Sequence, residues 1–161
     1  MVVMSKGGTP AIDRLQRLGV DFTVHEYQVG ETDLSYGEAV AAALGVPPER
    51  LFKTLVAQVD DRPVVGIVPV AGRLSLKKLA RAVGGKRAMM AETADAQRLT
   101  GYVVGGISPI GQTKRLEMVI DVGVHHHDTV FVSAGRRGLQ LELTPDDLIE
   151  VTGALVADIA D

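Results

Sequence analysis

The stretch Thr100 to Gln112 reads TGYVVGGISPIGQ, in which a short apolar run enters paired glycines and leaves through Ser-Pro and a third glycine. Gly105 and Gly106 lack Cβ atoms, so the backbone there can take positive φ and a ligand can come close to exposed amides; Pro109 stiffens the exit. Two familiar motifs come near to matching and fail. GISPIGQT, from Gly106 to Thr113, would need a lysine where Gln112 stands before anything could reach a β- or γ-phosphate. Ser108 has Gly106 two residues before it, but Ile110 occupies the place of the second glycine of a nucleophile elbow. What remains is either a tight turn between strands or a loop whose amides serve a ligand. Lys53 is the second chemically odd residue. It interrupts the alternating apolar face Leu51, Leu55, Ala57, Val59 of an expected strand. An ammonium there either snorkels to the rim and protects a sheet edge or meets an anion.

The totals narrow the chemistry further. The chain of 161 residues is 46% hydrophobic and contains no Cys, so neither a disulfide nor a thiolate nucleophile is available from the protein. His125, His126 and His127 are consecutive and cannot share one face of a strand. No paired-Cys or Glu-x-x-His spacing accompanies them, so we read them as a turn and expect no metal and no cofactor. The net charge is -3, yet seven bases and no acid lie between Arg62 and Ala91, and six acids and no base follow Arg137. The basic stretch is either a solvated surface or a footprint for an anionic partner. Met1 to Thr9 carries one positive charge and no apolar run, and no later stretch approaches the ~18 apolar residues that would span a bilayer. The expectation is a cytoplasmic protein with no membrane partner.

The elements that must carry these residues can be read in order. Thr9-Pro10 starts a helix with the stripe Ile12, Leu15, Leu18, closed by Gly19. Asp21 to Val29 reads as a strand. Ser35 and Glu38 form a capping box for a helix that ends at Gly45. Leu51 to Val59 and Val64 to Val70 make a hairpin. Ser75 caps a helix with Leu76, Leu79 and Val83 inward and Lys77, Lys78 and Arg81 outward. A strand at Arg87 to Ala91, a helix from about Ala94 to Leu99 and a strand at Tyr102 to Val104 lead into the glycine loop. Beyond it come strands at Glu117 to Val122 and Thr129 to Ser133. The hairpin Gly135-Arg136-Arg137-Gly138 leads into Leu139 to Leu143, followed by a helix at Asp146 to Thr152 and a strand at Ala154 to Ile159. Without regular βαβ alternation, the expectation is one α+β domain over residues 1–161. It has a mixed, largely antiparallel curved sheet with flanking helices, and residues 1–8 form a disordered N-terminus.

Three stretches in this order, Phe52-Lys53-Thr54, GYVVGGISPIG and SAGRRGL from Ser133 to Leu139, resemble the YbaK/EbsC family. Its members are free-standing relatives of the editing domain inserted in bacterial prolyl-tRNA synthetase, and the resemblance runs from Thr9 to Ile159. It implies trans-editing hydrolysis of mischarged aminoacyl-tRNA, with cysteinyl-tRNA(Pro) the leading substrate, tRNA as partner and prolyl-tRNA synthetase as a docking partner. It places the active-site lysine at Lys53 and the substrate loop at Gly105, Gly106, Ile107, Ser108 and Pro109. Ser133, Tyr27, Tyr36, Thr54 and Gln140 fall at pocket positions. Three residues depart from the family's pattern: Tyr36 replaces a Phe, Ala134 a glycine, and Gln140 an Asp that would bind the substrate amine.

An aminoacyl ester is already activated. A site need only hold it, polarise its carbonyl through amides such as those of Gly105 and Gly106, and exclude competing acids. Lys53 would neutralise a phosphate near the terminal adenosine, Tyr27 or Tyr36 could stack on a base, and Lys77, Lys78 and Arg81 could track the tRNA backbone. With no thiol in the chain, a cysteinyl substrate's own thiol is the expected nucleophile. The competing reading is a module that binds aminoacyl-tRNA or a synthetase without turnover.

Overall fold

The computed structural model describes residues 8–161. The expected disordered segment, 1–8, lies outside the described residues apart from Gly8. In chain order the elements are α1 (Pro10–Leu18), β1 (Thr23–Glu26), α2 (Tyr36–Leu44), β2 (Phe52–Val59), β3 (Arg62–Pro69), α3 (Leu76–Ala82), β4 (Ala88–Met90) and α4 (Thr93–Thr100). They continue with β5 (Glu117–Asp121), β6 (Val130–Ser133), β7 (Leu139–Leu143), α5 (Pro145–Thr152) and β8 (Leu155–Ala157). The helix starts follow the local chemistry. Thr9 Oγ1 accepts from Ile12 N–H at 3.2 Å with Pro10 behind it, Ser35 and Glu38 complete a reciprocal capping box, and Thr144 Oγ1 accepts from Asp147 N–H at 3.2 Å.

Two sheets face each other across the main core. One has the order β1-β7-β6 and is antiparallel; the other runs β4-β2-β3-β5-β8. In the second, β2 pairs antiparallel with β3 and β4, whereas β3–β5 and β5–β8 are parallel. The near-continuous apolar run Val64 to Val68 is what a strand buried on both faces requires. Val65 and Ile67 meet Val132, Leu141 and α1 between the sheets, while Val64 and Val68 meet Leu79 and Ala80 of α3 on the other side. The sheets touch through Leu51, which bridges to Phe131, and Phe131 N–H donates to Arg50 O at 3.1 Å. The result is a mixed α+β single domain.

The largest difference from the sequence reading is Tyr102 to Val104, which is a loop and not a strand. Gly101 ends α4 in the left-handed conformation, and Val103 is 70% exposed. The Tyr102 side chain instead turns inward, its hydroxyl donating to Ile110 O at 2.7 Å, so the apolar run ties the glycine loop to itself. Leu18, expected in the buried stripe of α1, is exposed, and Ala11 takes its place beside Ile12 and Leu15. The histidines fall in and beside a 3₁₀ turn, Val122–His126.

Asp121 holds the C-terminal strand in place. Its buried carboxylate accepts from Gly123 N–H at 2.9 Å, Ile159 N–H at 3.0 Å and Ala160 N–H at 3.1 Å. Removing it strands buried donors, so Asp121→Ala is expected to lower the unfolding free energy by about 3 kcal/mol, and Asp121→Asn by less. Urea unfolding measures both, and an Asp121→Ala midpoint equal to wild type would contradict this role.

Candidate active site

The site begins where one strand stops. β4 pairs with β2 only over Ala57 to Val59, and beyond that Ala91 N–H donates to Val56 O at 3.0 Å. Backbone direction in a strand repeats every two residues, so the N–H and C=O of Thr54 also point to this side, where β2 has no neighbour. A cavity of about 310 Å³ opens there, within the range of small-molecule sites. It is walled by Tyr36, Gly37 and Val40 of α2, the β2 edge from Leu51 to Val56, and Met90, Ala91, Thr93 and Ala96. Val104, Gly105 and Ile107 cover it, and Ser133 and Gln140 close the far end.

The lining is mostly apolar, and two of its polar atoms lack partners among the described residues. Thr54 Oγ1 and Gln140 Oε1 are both buried and accept no hydrogen bond. Each is costly to leave unpaired without a ligand or water. Ser133 Oγ accepts from Gly135 N–H at 3.1 Å, which fixes its rotamer. Lys53 is half-buried and, among the described residues, has neither a hydrogen bond nor an ion pair. Burial, and then the nearby Arg73, push its pKa down, while Glu38 pulls the other way. Among the described residues neither Lys53 nor Arg73 is bonded to a carboxylate, so their positive charge is locally uncompensated by an ion pair.

The glycine loop is shaped by the 133–139 hairpin packed behind it. A Cβ on Gly106 would lie 2.7 Å from Arg136 Cα and 3.0 Å from Arg137 N, so only glycine allows this approach of two backbones. Gly105 has φ 95°, and a Cβ there would lie 2.4 Å from Arg137 Nε. Gly106 N–H donates to Val103 O at 2.8 Å and closes a turn, and the amides of the lining residues Gly105 and Ile107 have no acceptor among the described residues. Arg137 sits with its guanidinium carbon 4.5 Å over the Tyr36 ring. Tyr36 shares a 2.6 Å hydrogen bond with Tyr27, and burial, followed by that contact, holds the Tyr36 phenol protonated well above its usual range despite Arg137.

Of the residues singled out in the sequence, Tyr36, Lys53, Thr54, Gly105, Ile107, Ser133 and Gln140 line the one cavity. Tyr27 stands behind Tyr36 and reaches the cavity only through it. Ser108 and Pro109 do not line it: both are buried, with Ser108 Oγ accepting from Ile110 N–H at 3.2 Å and Ser108 O from Gln112 Nε2 at 3.0 Å. Lys77, Lys78 and Arg81 lie on α3, outside the cavity lining. Lys78 is not an outward-facing free cation, because it binds Asp158 at 3.3 Å, Asp161 at 3.4 Å and Ala160 O at 3.1 Å. Sequence reasoning passed over Arg137, whose signal was a basic pair between two hairpin glycines, and over the α2 wall. Among the described residues, no three His, Cys, Asp or Glu side chains converge as metal ligands would.

Residues 33–151, which contain this cavity, match the family model of the aminoacyl-tRNA editing domain. The chain belongs to that family. It is 37% identical over 152 residues to EbsC of Enterococcus faecalis, a proposed Cys-tRNA(Pro)/Cys-tRNA(Cys) deacylase, covering 94% of this chain and 92% of the relative. It is 28% identical to the multifunctional Ser/Thr-tRNA deacylase ProXp-y of Escherichia coli over 94% of this chain and 93% of that one. Among solved structures, a proposed trans-editing enzyme for prolyl-tRNA synthetase superposes with a TM-score of 0.83 at 27% identity, covering 94% and 95% of the two chains. This editing domain therefore carries its cavity on the open edge of β2, under the glycine loop.

Because Gly106 meets backbone, its replacement forces the loop and hairpin apart. Gly106→Ala is expected to cost about 1–3 kcal/mol of stability, whereas Val103→Ala on the exposed part of the same loop should stay within about 0.5 kcal/mol. Denaturant midpoints of the two variants check this, and equal midpoints would show that the close approach is not needed.

Proposed function

We propose that this protein hydrolyses the aminoacyl ester of mischarged tRNA in the cytoplasm, with cysteinyl-tRNA(Pro) as its leading substrate and prolyl-tRNA synthetase as the source of that error. The observation that carries the reading is the half-buried Lys53, a cation with no bonded counter-ion among the described residues, at the wall of a mostly apolar cavity. A tRNA 3′ end supplies the missing anion, and the small aminoacyl group fills the cavity.

The residues divide the work. Lys53 neutralises a phosphate near the terminal adenosine. The amides of Gly105 and Ile107, and that of Thr54 on the open strand edge, are donors for the oxygen that becomes negative when the ester carbonyl is attacked. The Gly106 amide is engaged in its turn and drops out of that role, although its missing Cβ sets the loop's position. Thr54 Oγ1 and Gln140 Oε1 orient the aminoacyl group. Gln140 is neutral and holds the substrate amine by a hydrogen bond, without a carboxylate's charge. Val40, Phe52 and Ile107 limit size, the steric half of double-sieve editing. Lys77 and Arg81, exposed on α3, add sequence-independent attraction for the tRNA body.

The nucleophile comes with the substrate. A cysteinyl thiol folded back on its own ester carbonyl forms a C–S bond while the tRNA 3′-oxygen departs as the alcohol, and the thiol proton passes to that oxygen. The product is a strained cyclic thioester that water opens to free cysteine. Tethering gives the thiol a large effective molarity, so the protein need only hold this geometry and stabilise the oxyanion.

Release of free amino acid from a mischarged tRNA, far above spontaneous hydrolysis, tests the activity; binding without release would contradict it. Lys53→Ala should lower kcat/KM by roughly 10- to 150-fold with the fold intact, the loss of one charge-assisted contact. The pH dependence has a definite sign. Burial and Arg73 lower the Lys53 pKa in the free protein, and a bound anion raises it again, so binding takes up a proton and weakens as pH rises through the lowered value. After subtraction of spontaneous ester hydrolysis, kcat/KM should fall on an alkaline limb below the usual lysine range. That limb should vanish in Lys53→Ala; its persistence would remove Lys53 from the mechanism. Exhaustive chelation should leave the rate unchanged, and loss of activity restored by zinc would overturn the metal-free scheme.

A further inference from the structure

Arg137 has no part in the scheme above, yet its placement is more constrained than an exposed surface cation needs. Its guanidinium lies against two residues that line the cavity. The Tyr36 ring centroid is 4.5 Å from its central carbon, and a Cβ on Gly105 would come within 2.4 Å of Nε and 2.6 Å of Nη2. Tyr36 is itself fixed by its hydrogen bond to Tyr27. Stacked on Tyr36 yet exposed, the guanidinium presents its planar edge of N–H donors to solvent, beside two residues that line the cavity.

That edge is free. Among the described residues, Arg137 makes no ion pair and no hydrogen bond. Arg137 is the last base in the sequence, and six acids follow it, none of which pairs with it. Glu142 is held by His25 and Arg50, and Asp158 and Asp161 by Lys78. A stacked, unpaired guanidinium matches a phosphate in geometry: the fork binds two oxygens while the face stays on the Tyr36 ring. Lys53 and Arg137 both border the first turn of α2, one beside Glu38 and the other over Tyr36, so a strand entering the cavity passes between two cations.

We propose that Arg137 is a positioning residue that grips a backbone phosphate of the single-stranded tRNA acceptor end at the cavity mouth, on the side away from Lys53. The assignment deepens the deacylase reading and rests on it for the identity of the strand. The probes are Arg137→Gln and Arg137→Lys, each with two readouts. The first is the affinity for uncharged tRNA across a salt series, which needs no turnover. The second is hydrolysis of an aminoacyl ester of adenosine, which has no phosphate. Arg137→Gln should weaken tRNA binding about 10- to 100-fold and lower the salt slope by about 0.7, the value for one single-strand phosphate. Arg137→Lys should keep the slope with part of the affinity. Hydrolysis of the phosphate-free ester should be unchanged in both. Equal losses on tRNA and on the phosphate-free ester would assign Arg137 to packing on Tyr36 and overturn the proposal, as would an unaltered affinity and slope in Arg137→Gln. Wild-type protein that binds tRNA without releasing amino acid defeats the deacylase reading alone, and the salt slopes still decide the role of Arg137.

Discussion

The structure turns on a strand that is paired along its whole length on one side and only at its end on the other. β2 is zipped to β3 from Phe52 to Val59, but β4 reaches only Ala57 to Val59. An open strand edge inside a folded domain is costly unless something covers it. Here the cover is an apolar cavity roofed by the glycine loop and walled by α2, so the cost becomes a place where backbone donors face a ligand. The helix and loop positions around it follow from that gap. α4 begins just after β4 ends, and the loop after α4 returns over the edge that β4 leaves bare.

The roof is held by contact between two backbones and not by a strand ladder. Gly106 against Arg136 and Gly105 against Arg137 allow the loop to approach the 133–139 hairpin more closely than any larger residue would. The same contact aims Arg137 across Tyr36. Packing and electrostatics are thereby coupled: the glycines that shape the cavity also bring a cation against Tyr36 in its wall. Lys53 at the wall, with the exposed Arg73 near it, raises the potential, while inside Thr54 Oγ1 and Gln140 Oε1 wait for hydrogen bonds. An apolar slot with a positive entrance suits a small aminoacyl group on a polyanionic chain.

Much of this was legible in the sequence, for local reasons. Capping residues at Thr9, Ser35, Ser75 and Thr144 mark their helices because a cap acts within three residues of chain. Lys53 betrays itself by breaking an apolar alternation. Where the reading failed, the deciding contact was distant. Tyr102 to Val104 has the composition of a strand, but Gly101 turns the chain in the left-handed conformation and the Tyr102 hydroxyl is claimed by Ile110 O, so the segment folds back on its own loop and joins no sheet. Lys78 reads as one of three outward cations until the C-terminal acids, some eighty residues later, are brought beside it. Arg137 is one charge in a hairpin until folding sets Tyr36, from a hundred residues earlier, beneath it. Gly106 reads as a ligand-facing amide because its hydrogen bond to Val103 O depends on a turn that composition does not specify.

The central claim is that the cavity positions a substrate to attack its own ester and supplies no nucleophile. Serine and cysteine are nearly equal in size, so a purely steric pocket with an activated water would treat them alike, whereas a hydroxyl is a far poorer nucleophile than a thiol near neutral pH. The direct measurement is the single-turnover rate of deacylation for one proline tRNA charged in turn with cysteine, serine and alanine. The account predicts fast release of cysteine, with seryl-tRNA bound but cleaved slowly and alanyl-tRNA cleaved slowly as well. Comparable rates for all three would contradict it and place an activated water in the cavity.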